Sequence, residues 1–400
     1  MEKFFSFFSY GLNFNNFDYS TYLFYLINII LVGLILFFIH LAIKGVGLLD
    51  YLHFRKLPKN FKIYSEAKGR SYYDKLKNFS GQRLIYKNKI KPNFAEYMAY
   101  YDDIKQFLNI DFLRIKRYGR KGVLLEIKDI LKTFEINNNN YKDYYKKNYI
   151  YFGKNDKNEN IYKEINEMKH LLIVGQSGAG KSVLVNNLIN SLLFNNIKMY
   201  LIDLKGGVEF FKYEKQSAKV VDNLEDLGKL LDNLIKIMNN RLKKMKEKGE
   251  TFSSEAPIFV IFDEIQSIND NKEKLGKKLY DKYWGQIQEL LAKARATNIK
   301  IWILTQKPDN INTNIRNNIQ LKIIMKLNNN TALQTALGGA YKEIIEEIGI
   351  YPKYFTPGKF LFENETEKGV KYEYIQSPYI SENINFLENE NKKNKINLKK

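Results

Sequence analysis

Eight residues constrain this chain more than any other stretch: Gly175, Gln176, Ser177, Gly178, Ala179, Gly180, Lys181 and Ser182. They fit G-x-x-x-x-G-K-[ST] at every fixed position. The run HLLIV at 170–174 ahead of them reads as a buried strand, and 181–194 behind them reads as a helix, the context in which this pattern cradles phosphates. Glycines let the loop adopt backbone conformations closed to larger residues and bring amide N–H groups against phosphate oxygens. Lys181 supplies a cation for the β- and γ-phosphates, and the Ser182 hydroxyl supplies a ligand for Mg²⁺. Residues 175–182, with Val183 in the first helical turn, are the expected cofactor-binding set for ATP.

The rest of the second half alternates strands and helices. KMYLID (198–203), PIFVIF (257–262), IKIWILT (299–305) and 319–327 read as near-continuous apolar strands. Residues 224–248 read as a long amphipathic helix and 283–297 as another. Such strands joined by helices imply an α/β fold with a mainly parallel sheet covered on both faces. The third strand runs out into Asp263 and Glu264. Asp263 is expected to hold Mg²⁺ through its water shell, and Glu264 to orient and deprotonate an attacking water. Gln306, at the tip of the fourth strand, is expected to contact both the γ-phosphate and that water. Lys181, Glu264 and Gln306 form the expected catalytic set, with Ser182 and Asp263 on the metal. Together they stabilise a phosphoryl-transfer transition state by placement and charge.

Composition narrows the partners. With no cysteine, disulfides, thiolate zinc sites and thiol catalysis are excluded. The histidines are only His40, His53 and His170, and they are scattered, so a histidine metal site is not expected; His170 reads as a strand-edge residue. A formal net charge of +20 favours nucleic acid or an anionic membrane face. Residues 22–43 carry no Asp, Glu, Lys or Arg and suffice for one transmembrane helix. Only Lys3 precedes that run, whereas Lys44, Arg55, Lys56, Lys59 and Lys62 follow it. The N-terminus is therefore expected outside and the remainder in the cytoplasm, as a single-pass protein of the cell membrane. The aromatic run 4–10 is expected at the interface.

The expected organisation is an N-terminal segment with its span (1–43), a small cytoplasmic α+β domain (44–150), an ATPase domain (151–381) and a disordered polar tail (382–400). In the small domain, 82–86 and 122–127 read as strands and 94–108 as helical. The asparagine run 137–140 reads as a turn and 155–160 as a polar loop, both linker-like.

Several blocks, in order, resemble the FtsK/SpoIIIE family of DNA-translocating ATPases over residues 168–376. They are the phosphate-loop block 170–193, YLIDLKGGVEFFKYE (200–214) with Asp203 and Lys205, NNRLKKM around Arg241, the IFDE pair, and LLAKARATNIKIWILTQKP (291–308). The resemblance implies a RecA-like motor, a homo-oligomeric ring of the hexameric kind, and DNA in its pore. It also implies that a basic residue from a neighbour completes each site. Lys307, Lys322, Arg295 and Arg316 are the candidates, and the residues alone do not choose among them. The lysine- and aromatic-rich segment 271–284 is a candidate pore loop. One span and a short tail look most like the coupling ATPases of Gram-positive conjugative elements, with a relaxase and transfer-channel proteins as implied partners. Septal chromosome segregation and protein secretion are the alternative roles. A scaffold that binds nucleotide without turnover is disfavoured by the intact Glu264.

Overall fold

The computed structural model describes residues 19–43, 64–67, 70–73, 75–79, 83–87, 94–119, 122–127, 129, 131–214, 216, 218–366, 369–380, 384 and 386. It divides into two compact units, Met1–Lys128 and Asp129–Lys400.

The first unit opens with helix α1 (Tyr19–Ile43), 25 residues long, where a membrane-crossing helix is expected over 22–43. Its apolar side chains from Leu23 to Leu36, and Phe38, stand exposed. Asn28 returns its amide to the Phe24 carbonyl at 2.8 Å. Among the described residues, however, no helix is long and apolar enough to cross a membrane. The side chains described in α1 run only from Leu23 to Phe38, fewer than the roughly 20 residues a span needs. The aromatic run 4–10 and the basic residues of 44–63 lie outside the described residues.

Strands β1 (Tyr64–Ala67) and β2 (Arg70–Tyr73) pair antiparallel. They are followed by β3 (Lys75–Phe79), β4 (Arg83–Lys87), α2 (Phe94–Ala99), α3 (Tyr101–Phe107), β5 (Arg114–Arg117) and β6 (Gly122–Glu126). The last four of these strands form a sheet ordered β3-β4-β6-β5, antiparallel throughout. Leu84, Tyr86, Ile115, Val123 and Leu125 are buried, and Tyr86 packs on Tyr97 of α2. Glu126 is buried and collects Arg83 at 3.3 Å, which offsets the cost of burying its charge.

The second unit starts at Asp129, some way before the expected boundary at 151. Its elements are β7 (Glu135–Ile136), α4 (Tyr141–Tyr144), β8 (Tyr149–Asn155), β9 (Asn160–Glu164), β10 (Leu171–Val174), α5 (Lys181–Phe194), β11 (Lys198–Ile202) and β12 (Ala218–Val221). Then come α6 (Leu224–Lys248), β13 (Ile258–Phe262), α7 (Ser267–Asp270), α8 (Lys272–Lys293), β14 (Ile299–Thr305), α9 (Thr313–Asn317) and β15 (Leu321–Ile324). Helices α10 (Asn330–Leu337) and α11 (Tyr341–Ile348) and strands β16 (Lys359–Thr366), β17 (Gly369–Gln376) and β18 (Tyr379–Ile380) complete it. A ten-stranded sheet runs β12-β11-β13-β14-β10-β15-β16-β17-β8-β9. The pairs from β12 to β15 are parallel, and those from β15 to β9 are antiparallel.

Strand β14 is buried along its whole length, with Trp302 against Phe259. Helix α5 lies against this sheet, and its buried polar residues are tied to β8. The Asn187 amide donates to the Tyr151 carbonyl at 2.7 Å, and the Tyr151 N–H donates to Ser191 Oγ at 3.1 Å. Helix α6 begins at an Asn223 cap that accepts from the Asp226 N–H at 2.9 Å and ends at Gly249 with φ 68°.

Of three expected turns and loops, two hold and that at 271–284 is corrected. The run 137–140 is a turn: the Asn137 N–H donates to Asn140 Oδ1 at 2.9 Å and the Asn140 amide to the Glu135 carbonyl at 3.0 Å, leading into α4. The run 155–160 is the β8–β9 hairpin loop, organised by Asn155, whose Oδ1 accepts from the Lys157 and Glu159 N–H groups at 3.0 Å each. The segment 271–284 is helical in α8, interrupted where Gly276 takes φ 70°. Of the tail expected to be disordered, Ile384 is buried and Phe386 packs on Tyr141 and Tyr145; the remainder lies outside the described residues.

Candidate nucleotide site

Strand β14 sits between β10 and β13, with Val174 beside Thr305 and Phe262 beside Ile303. The loop after β10 and the acids after β13 therefore leave the same edge of the sheet on either side of the β14 tip. That is the edge at which open parallel sheets bind ligands.

The loop has the shape its glycines predict. Gly178 takes φ 75° and Gly180, which starts α5, takes φ 91°. A Cβ on Gly180 would meet the Gly358 nitrogen at 2.6 Å, and one on Gly175 would meet Met325 Cβ at 2.8 Å. The loop is anchored by the Gly175 N–H on the Thr305 carbonyl (3.2 Å), the Gln176 N–H on the Lys326 carbonyl (2.9 Å) and the Gly358 N–H on the Ala179 carbonyl (2.9 Å). Lys181 donates to the Gly175 carbonyl. Burial lowers its pKa, the neighbouring Glu264 and Asp263 carboxylates oppose that shift, and Lys205 adds to it. The cradle lysine and both acids thus share one electrostatic environment.

Glu264 turns the chain with φ 55°, a left-handed conformation that costs a non-glycine residue on the order of 1–3 kcal/mol. The turn returns its side chain over the tip of β14. There Oε1 accepts from the Thr305 hydroxyl at 3.1 Å and Oε2 from the Gln306 N–H at 3.2 Å. Each oxygen keeps an acceptor position for water. Gln306 reaches Glu264 through its backbone, and its side chain is exposed.

Asp263 lies among carboxylates. Burial, Asp203, Glu209 and Glu264 push its pKa up to about 6 against the pull of Lys205. The Ser182 hydroxyl donates to Glu209 Oε1 at 3.3 Å, and Asp203 accepts from the Lys205 N–H at 3.0 Å and the Glu209 N–H at 3.3 Å. A hydroxyl beside mutually repelling acids fits the divalent cation of a bound nucleotide, whose positive charge would offset that repulsion. Ser182 and Asp263 are the residues that could hold the metal, although among the described residues no three acids or histidines cluster as a metal site. Sequence patterns do not single out Thr305, Glu209 or Gly358. The one available signal is for Glu209, which lies in the block 200–214, six residues after Asp203.

A cavity of about 560 Å³ opens beside Gly180 and Val183, lined also by Phe134, Pro357, Pro378 and Tyr379. Gln376 lines it. Its amide donates to the Ser377 carbonyl at 2.9 Å, and its buried Oε1 has no partner among the described residues.

Residues 135–307 match the sequence profile of the FtsK/SpoIIIE family. The chain carries an FtsK/SpoIIIE-family ATPase domain. It is 26% identical over 338 residues to DNA translocase FtsK of Staphylococcus epidermidis, covering 72% of this chain and 41% of the relative. It is 29% identical over 261 residues to DNA translocase SpoIIIE of Bacillus subtilis, covering 57% of this chain and 32% of the relative. The chain thus spans less than half the length of these curated relatives. Its fold is like that of the pCW3 conjugation coupling protein TcpA in its monomer form with ATPγS. That likeness has a TM-score of 0.55 at 22% identity, over 82% of this chain and 95% of the other.

The FtsK/SpoIIIE domain also separates the four basic candidates. Lys322 pairs with Glu363 at 3.6 Å. Arg316 donates to the Pro308 carbonyl at 3.0 Å and the Ile311 carbonyl at 2.6 Å. Lys307 is exposed just beyond β14. Arg295 lines a cavity of about 670 Å³ at the opposite end of the sheet, together with Lys300. Lys300 is buried, and burial with Arg295 nearby lowers its pKa to about 8. His170, buried and accepting from the Ile301 N–H at 3.0 Å, is held down to about 3 by burial, Lys300 and Arg295. Among the described residues, neither Arg295 nor Lys300 forms an ion pair.

Proposed function

We propose that this chain is a membrane-anchored, ATP-driven DNA translocase that serves as the coupling ATPase of a conjugative transfer channel. The observation that carries the ATPase reading is Glu264, held by Thr305 and Gln306 on the sheet edge that also bears Lys181. The Gly175–Gly180 amides would hold the phosphates of ATP, and the cavity beside Val183 is open to its base. Mg²⁺, when bound, would supply charge neutralisation to the phosphates. Lys181 adds a cation, Glu264 takes a proton from water, and Gln306 registers the state of the γ-phosphate.

DNA as substrate is supported by the names of the translocase relatives and by the +20 charge. The fold shared with TcpA favours conjugation over the septal and secretion roles. The uncharged apolar run 22–43 in the sequence supports a membrane anchor, and the basic residues that follow it support a cytoplasmic ATPase unit. Among the described residues Arg295 and Lys300 have no acidic partner, and they lie at the end of the sheet away from the phosphate loop. That supports a ring in which Arg295 completes the neighbour's site.

The test is the ATP hydrolysis rate of the full chain in detergent, with and without single- and double-stranded DNA, over a range of salt. Stimulation that falls steeply with salt is expected. No stimulation by either form contradicts the DNA reading.

A further inference from the structure

We propose that a second cleft in the ATPase unit takes an unpaired nucleobase, so that the DNA is gripped as a single strand with a base turned out of the stack. The inference rests on the DNA reading above and specifies which part of the polymer is held.

The cleft, about 580 Å³, lies between α7, α8 and the segment that follows β14. Part of its lining is aromatic. Asn269 Oδ1 accepts both from the Tyr280 hydroxyl at 2.7 Å and from the Trp284 indole N–H at 3.0 Å. A single amide oxygen thus satisfies the polar edges of both rings and sets them 6.4 Å apart, edge to face. Gln288, Asn312 and Arg316 add polar groups. Arg316 is pinned by the Pro308 and Ile311 carbonyls, so this part of the lining is held in shape.

Aromatic faces stack on any base, and side-chain amides bond base edges. The exposed Asp309 also lines the cleft and counters the charge of Arg316, so the cleft suits the base and not the phosphodiester. Phosphates are served by the exposed Lys274, Lys277 and Lys278 of α8. The segment bearing Asp309 and Asn312 follows Gln306 directly in the chain, which links the occupant to the nucleotide site.

The chain contains its own probe. Of its two tryptophans, Trp302 is fully buried and Trp284 lines the cleft. The full chain in detergent is titrated with an oligothymidine, an abasic oligomer of equal length and a blunt duplex. Binding is read by anisotropy of the labelled oligomer and by tryptophan emission. Oligothymidine is expected to bind and quench emission, whereas the abasic oligomer, with the same phosphates, binds more weakly and leaves emission unchanged. Trp284→Ala is expected to weaken oligothymidine binding about five- to a hundredfold without affecting the abasic oligomer. Trp284→Phe keeps a stacking ring and should retain affinity while losing the quench. Equal binding of oligothymidine and abasic oligomer with unchanged emission overturns the inference and leaves the DNA reading standing. Binding of none of the three overturns both.

Discussion

Asp263 sits where its charge is costly. Burial and three other carboxylates raise its pKa from 3.8 to about 6, so the folded chain holds that proton more tightly than the unfolded chain. The penalty is fully present above about pH 6 and is relieved as pH falls toward 3.8. Asp263→Asn is therefore expected to stabilise the nucleotide-free protein at pH 7, by on the order of 2 kcal/mol, while abolishing Mg²⁺-dependent turnover. Thermal melts at pH 5 and pH 7 check this, with the gain shrinking at the lower pH. Asp263, Glu264 and the loop 175–182 are legible in the sequence because their chemistry is local and their spacing to a strand end is short. Thr305 and Gly358 are not. Thr305 matters only because a left-handed Glu264 turns back onto it, and Gly358 only because the chain after α11 returns to lie on Gly180.

Among the elements, helices α5 and α6 and strand β14 are readable to the residue, since each carries a cap or an unbroken apolar period. The reading fails where one signal hides another. Dense lysine and Gly276 make the start of α8 look like a loop, although the helix resumes beyond the break. The β8–β9 and β16–β17 hairpins carry only short buried runs, among them Ile150 to Phe152 and Phe360 to Phe362, and polar residues make up much of the rest of their strands. Helix α6 is fastened by Arg241, which donates to the Thr297 carbonyl at 2.8 Å and the Ala256 carbonyl at 2.9 Å and meets Glu255 at 3.3 Å. Arg241→Ala removes the donor from both carbonyls and is expected to destabilise the ATPase unit by about 2–4 kcal/mol. The milder Asn223→Ala, which removes only the α6 cap, is expected to cost about 1 kcal/mol. Denaturant unfolding of the two variants side by side checks the ranking.

For the molecule as a whole, the sheet order decides what the parts can do. Inserting β14 between β10 and β13 brings a phosphate loop, a metal acid and a water acid to one edge, and leaves Arg295 and Lys300 at the other. If Arg295 serves a neighbour, Arg295→Ala subunits mixed into wild type should depress hydrolysis, while each variant subunit still binds nucleotide. The mixing curve of rate against variant fraction checks this, and a rate that merely dilutes in proportion contradicts it.

The central claim is that Lys181 and Glu264 act on the same nucleotide, one by holding it and the other by cleaving it. The direct measurement is nucleotide binding and steady-state hydrolysis on one preparation each of wild type, Lys181→Ala and Glu264→Gln. The account predicts that Lys181→Ala loses both, and that Glu264→Gln keeps binding while its hydrolysis falls at least about a hundredfold. Hydrolysis by Glu264→Gln at the wild-type rate would contradict it.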